Sequence, residues 1–276
     1  MSAARPPLGG PVAGVVHPVP AWAPSEPPIV DWQGRALDCE GCENLALRET
    51  GKCQPGHACV FDRYAKRIDR FFRWNPERAN DYLEHPYFEV RAVASRSADV
   101  FRLVGLMHDP DETVRLHVAL RLPQRLLAEL RHDPDREVRI RVAQRLEVNH
   151  LIEMADDPDY FVRKLVAERL PIALLPKLAR DPDREVRLVV ARRLEVPALL
   201  ALLSDPEVDI RRSVVARLPV GLLAEMARDP AWEVRWELAQ RADEALLRRL
   251  LLDEEPEVRE AARVRLATLE TETRHG

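Results

Sequence analysis

The sequence predicts an all-α solenoid of eight 24-residue repeats behind a small four-cysteine module, and three observations carry that prediction. Arginine recurs at Arg91, Arg115, Arg139, Arg163, Arg187, Arg211, Arg235 and Arg259, a strict spacing of 24, each after Val except Arg211, which follows Ile210. Proline keeps the same register at Pro86, Pro110, Pro134, Pro158, Pro182, Pro206 and Pro230, with Asp before all but the first, where His85 stands. All four cysteines, Cys39, Cys42, Cys53 and Cys59, fall within 21 residues ahead of the array. A period this long and regular means stacked units, because one unit alone cannot bury its apolar face.

Taken in chain order, residues 1–30 hold eight prolines with Ala and Gly between them. Such a composition buries too little apolar surface to offset chain entropy, and a disordered Pro-rich tail is expected there. It has neither a basic start nor an unbroken apolar run, so no secretory signal is read. The whole chain of 276 residues is 32% charged, with Lys+Arg 42 against Asp+Glu 46, a net charge of −4 and a mean hydropathy of −0.31. That balance gives no global attraction to nucleic acid or acidic lipid, and no stretch approaches the roughly 20 apolar residues of a membrane helix. A cytoplasmic protein with no membrane partner is expected.

Residues 31–80 form the second segment. In a cytoplasmic protein a tight set of cysteines points to metal rather than to disulfides. The spacing C-x2-C-x10-C-x5-C brings four soft thiolates within reach of one centre, which suits tetrahedral zinc or an iron–sulfur cluster, and His57 also allows a Cys3His site. From Val60 the apolar residues Val60, Phe61, Tyr64, Ala65, Ile68, Phe71 and Phe72 recur at helical spacing, predicting a helix over 60–74 that ends at Asn75-Pro76. Arg63, Lys66, Arg67, Arg70 and Arg73 fall mostly on its other face. This basic face is read first as a solvated surface that offsets the charge of an anionic centre. The functional alternative is a docking face at Arg63, Lys66, Arg67 and Arg70.

The solenoid is expected over 81–266, with a C-terminal tail over 267–276. Within the unit DPDREVRIRVAQRLEVNHLIEMAD, Asp133 is the expected N-cap and Pro134 the first helical residue. Val138, Val142, Ala143 and Leu146 make one stripe, and the helix should stop near Leu146, since Pro123, Pro171 and Pro219 follow the equivalent leucine in sister units. The short remainder, with Leu151, Met154 and Ala155, fits two turns of either α or 3-10 helix. The terminal units deviate as caps should: Ser95, Ser97 and Ala98 replace the usual Ala, Arg and Leu, and the last proline slips to Pro256. The aromatic helix is expected to cover the first unit.

At this point the residues resemble a known family. The DPxxxVRxxVAxRLxxxxLxxMA unit is similar to the leucine-rich repeat variant, and the segment from Asp38 to Pro76 resembles the N-terminal module of the same family. The resemblance covers roughly residues 31–266. It implies alternating α and 3-10 helices in a right-handed superhelix, and a [4Fe-4S] cluster on Cys39, Cys42, Cys53 and Cys59. It further implies a setting in nitrogen-fixing bacteria.

No catalytic constellation is found. The solenoid has only Gly105 and Gly221, which excludes a phosphate-cradling loop, and Ser204 and Ser213 lack a paired His and acid. A second arginine row, Arg121, Arg145, Arg169, Arg193, Arg217, Arg241 and Arg265, runs beside the first. Such rows could bind a phosphate backbone, but acids such as Asp133, Asp135 and Glu137 favour an Asp–Arg ladder between units. The expected function is therefore a non-enzymatic cluster-binding scaffold with an unidentified protein partner, such as a redox protein. The alternative is a nucleic-acid-binding repeat protein with a structural metal knob.

Overall fold

The computed structural model describes the backbone of residues 27–275 and the side chains through residue 271. The expected Pro-rich tail lies, as far as residue 26, outside the described residues. Two compact units divide between Phe71 and Phe72, inside the helix Ala65–Trp74. Among the described residues the secondary structure is helical, with three isolated β-bridges in place of any strand.

In the second unit the first segment of each of the eight repeats is an α-helix: Phe88–Ala94, Glu112–Ala119, Arg136–Arg145, Tyr160–Arg169, Arg184–Arg193, Val208–Val215, Trp232–Ala239 and Pro256–His275. Val138, Val142, Ala143 and Leu146 are fully buried, as are their counterparts Val162, Val166, Ala167 and Leu170 in the next unit. Each fully buried Val or Leu contributes about 1.5–3 kcal/mol, and only a neighbouring unit can bury it. The second segment is 3-10 at Val100–Leu106, Ile172–Leu178, Ala198–Leu202 and Val220–Met226. It mixes one α turn with 3-10 at 124–132 and 148–154, and is α at Glu244–Leu250. The tighter 3-10 winding rises more per residue, so a few residues span the return to the next Asp-Pro. The last helix continues through the residues expected as a tail, to His275.

The N-cap differs from expectation. Asp135, not Asp133, caps the helix, accepting the N–H groups of Glu137 and Val138 at 2.9 and 3.1 Å. A residue before proline is kept out of the α region, so Asp133 stays extended (ψ 139°) and Pro134 lies outside the helix. Only in the last unit, where the proline has slipped, does the helix begin on it, at Pro256.

The freed Asp133 serves another purpose. Its carboxylate receives Arg115 from the preceding unit through Nε at 2.8 Å and Nη2 at 3.0 Å, while Oδ1 also accepts the N–H of Asp135. Arg115 Nη1 donates back to the Asp109 and Pro110 carbonyls at 2.8 and 3.3 Å. The same fork repeats seven times, from Arg91–Asp109 to Arg235–Asp253, always 18 residues apart. This is the expected ladder. In the last unit Arg259 keeps the carbonyl half, donating to the Asp253 and Glu254 oxygens.

The second arginine row does not join that ladder. Arg169 donates to the carbonyls of Ala143 and Leu146, and Arg217 to those of Ala191 and Leu194, at the C-terminal end of the preceding unit's helix. Arg121, Arg145, Arg193 and Arg241 do likewise. The last carbonyls of a helix have no partner within it, and here the next unit supplies one. Arg115 and Arg145 differ electrostatically for that reason. The hydrogen bond that Arg115 donates to Asp133 holds its guanidinium above its ordinary value, whereas burial pulls that of Arg145 down.

Candidate metal centre

The first unit places the four cysteines by short-range turns. Asp38 accepts the N–H groups of Glu40 and Gly41 at 3.1 and 3.0 Å, closing the turn between Cys39 and Cys42. A short helix, Leu45–Glu49, follows, and Gly51 ends it at φ +75°, a conformation that favours glycine. The chain then turns back, with the N–H groups of Lys52 and Cys53 both donating to the Leu47 carbonyl. Gln54 and Ala58 exchange backbone bonds of 2.7 and 2.8 Å around Gly56, also at positive φ. That hairpin sets Cys53 and Cys59 side by side at its two feet.

The cysteines form two pairs of different exposure. Cys53 and Cys59 are buried, 7% and 4% exposed, while Cys39 and Cys42 are half-buried. All four are free thiols. They sense one another. Burial pushes the Cys42 thiol up against the Asn44 N–H that donates to its sulfur at 3.4 Å, and nearby Cys59 and Cys39 push it further. A hydrogen bond with Cys59 holds the Cys53 thiol below its ordinary value, against burial and the charges of Cys42 and Cys39, with Arg48 assisting. The same bond, then burial, pushes the Cys59 thiol up, although the Phe61 N–H donates to it. Among the described residues no three Cys, His, Asp or Glu side chains converge as they would on one metal ion. The donor set itself fits an iron–sulfur group: four thiols in mutual electrostatic reach, with backbone N–H donors on sulfur of the kind that tune such centres.

The helix expected over 60–74 begins only at Ala65. Residues 60–64 turn instead, because the wholly buried Asp62 accepts the Tyr64 N–H at 2.8 Å and pairs with Asp31 in a β-bridge. Asp62 also receives Arg67 at 3.1 Å. Arg67 is thus buried, at 5% exposure, and is not part of a docking face as its spacing suggested. A buried carboxylate requires a partner, and Arg67 is the cation in reach. Arg63 and Lys66 are exposed. Arg70 Nη1 donates to the carbonyl oxygen and Nδ1 of the exposed His57, at 2.7 and 2.8 Å. A guanidinium only donates, so Nδ1 accepts and the imidazole carries its hydrogen on Nε2. The exposed charged residues next to Cys39 and Cys42 in the chain are acidic: Asp38, Glu40 and Glu43. Sequence reasoning missed the Asp62–Arg67 pair; its one local signal was a lone acid directly after the apolar Val60-Phe61.

Comparison with known proteins agrees with this architecture. Residues 29–81 match the family model described as "LRV protein FeS4 cluster", and residues 160–183 match "Leucine rich repeat variant". A solved structure described as "a leucine-rich repeat variant with a novel repetitive protein structural motif" is similar at 45% sequence identity and a TM-score of 0.75, covering 82% of this chain and 97% of that one. An uncharacterized 27.7 kDa protein in the nifB 3′ region of Rhodobacter capsulatus is 52% identical over 100 residues, which span 36% of this chain and 41% of that protein. The chain belongs to the leucine-rich repeat variant family. No helix among the described residues is long and apolar enough to cross a membrane.

Proposed function

We propose that Cys39, Cys42, Cys53 and Cys59 hold a [4Fe-4S] cluster and that the protein is a non-enzymatic redox module on a protein-binding scaffold. The observation that carries this reading is the gathering of four free thiols in the segment that matches the cluster-module family. When bound, such a cluster supplies one-electron transfer. The protein's own residues do the rest. The Asp38 and Gly56 turns hold the thiols in place, and the Asn44 and Phe61 N–H groups donate to sulfur. The buried Cys53 and Cys59 keep one side from solvent, so close approach of a redox partner is favoured at the Cys39–Cys42 side. The nifB-region location of the Rhodobacter relative supports a role linked to nitrogen fixation.

A protein partner is favoured over nucleic acid because both arginine rows are engaged within the solenoid, by aspartates or by helix-end carbonyls. Arg63 and Lys66, both exposed, form the proposed docking face. The test is anaerobic purification with iron, zinc and acid-labile sulfide analysis. Iron and sulfide in comparable amounts with broad visible absorption, lost on Cys53→Ala, are expected. Stoichiometric zinc without labile sulfide would overturn the cluster reading.

A further inference from the structure

A piece of chain outside the cysteine spacing touches the hairpin between Cys53 and Cys59. Residues 27–31 meet that hairpin at Gly56 and pair with the turn and helix start that follow it, at Asp62, Arg63 and Arg67. Ile29 Cδ1 lies 2.7 Å from where a Cβ on Gly56 would stand, so the strap rests directly on the hairpin tip, midway between the two cysteines. Three devices hold it. Arg67 Nη2 donates to the Pro27 carbonyl at 2.7 Å and Nη1 to that of Pro28 at 3.0 Å. The Arg63 N–H donates to the Val30 carbonyl at 3.0 Å, and Asp31 bridges Asp62. Arg67 also accepts the Cys59 N–H on its own carbonyl, at 3.2 Å. One buried residue therefore ties the strap, the wholly buried Asp62 and a cysteine backbone together.

We infer that Arg67 is a positioning residue for the cluster site: it clamps the Pro27–Asp31 strap over the Cys53/Cys59 hairpin, and the clamped strap limits the access of small solutes to that side of the bound cluster. The inference rests on the cluster reading above and adds to it a determinant of cluster lifetime. Pro27 and Pro28 suit the role, since neither needs an amide partner and both offer carbonyls to the guanidinium. The half-exposed Ile29 acts as the cover, and Gly56, whose φ of +74° favours glycine, as the seat beneath its tip.

The experiment uses cluster-loaded full-length protein, prepared anaerobically and challenged with EDTA, with the decay of visible absorption as readout. Two variants attack the strap from different ends. Ile29→Gly removes the cover and leaves the ion pair; Asp62→Asn with Arg67→Met removes the clamp without stranding a buried charge. Both should load a cluster with an unchanged visible spectrum and an unchanged solenoid melting curve, and lose it about 10-fold faster than the unaltered protein. Ile29→Leu should restore the slow rate. Decay at the unaltered rate in either loaded variant overturns the strap. So does a clamp variant that never loads while Ile29→Gly decays normally, since Arg67 would then serve folding alone. Unaltered protein that binds no iron overturns the cluster reading and the strap with it.

Discussion

Asp181 accepts two hydrogens from Arg163, at 2.7 and 2.9 Å, and the N–H of Asp183 at 2.8 Å, with 3% of its side chain exposed. Removing the arginine strands that carboxylate. Arg163→Met should therefore cost about 3–5 kcal/mol in urea unfolding. By contrast Arg136 pairs with Asp159 across units at 2.9 Å but is half exposed, so Arg136→Ala should cost less than about 1 kcal/mol. Equal losses would mean the rungs are not desolvated pairs. The outermost rungs also set an acid limit. Burial pushes the Asp109 carboxyl up, but Arg91 and the Asp111 N–H outweigh it and hold it below the ordinary 3.8; Asp253 is lowered likewise by Arg235 and the Glu255 N–H. A lowered folded value stabilises the fold fully above about pH 4, and that contribution is lost as pH falls through it. Asp109→Asn should flatten the fall in Tm below about pH 4.

A helix in this array depends on its neighbours for its ends as well as its faces. Arg169 binds the Ala143 and Leu146 carbonyls, so Arg169→Ala should leave both short of a donor and cost about 1–3 kcal/mol. The effect should appear as fraying of the preceding unit, read by amide exchange at the end of Arg136–Arg145. Packing follows the same neighbour logic. Leu175 is fully buried in mid-array, and Leu175→Ala should cost about 2–5 kcal/mol through the cavity it leaves. Leu266, half-buried in the last helix, should cost clearly less when truncated. Similar losses at both positions would contradict a stack whose stability is summed between nearest neighbours.

At the scale of the whole molecule, the division between Phe71 and Phe72 separates the cysteines from the repeats, and each unit has its own buried residues. Cys59→Ala should therefore abolish cluster absorption while the far-ultraviolet circular dichroism and its melting stay essentially unchanged. A large loss of helical signal would show that the repeats need the cluster to fold. Partner steering also belongs to this scale. Lys66→Glu with Arg63→Glu should slow electron exchange with an acidic redox partner, most strongly at low salt, with the cluster still assembled. Exchange with an acidic partner that is unchanged or faster would overturn this steering and point to Asp38, Glu40 and Glu43, beside the half-buried Cys39 and Cys42, as the steering charges for a basic one.

The repeat register, the buried Val, Ala and Leu stripes and the stop at Leu146 were all legible from the sequence alone. A strict 24-residue period gives every unit the same surroundings, so local patterning determines which face is buried. The four cysteines were legible for the same reason, as a local cluster of one residue type. The cap was local too, yet Asp133 and Asp135 are chemically identical, and only the extended conformation imposed before Pro134 assigns one to the helix and the other to Arg115. What the tertiary structure decided were the partners across sequence: which acid each arginine meets, why the second row meets carbonyls, and why Arg67 is buried against Asp62 and the Pro27–Pro28 backbone. Helical spacing puts Arg67 on a polar face. It is buried because residues some 40 positions earlier return to lie over it, an arrangement that no local periodicity encodes.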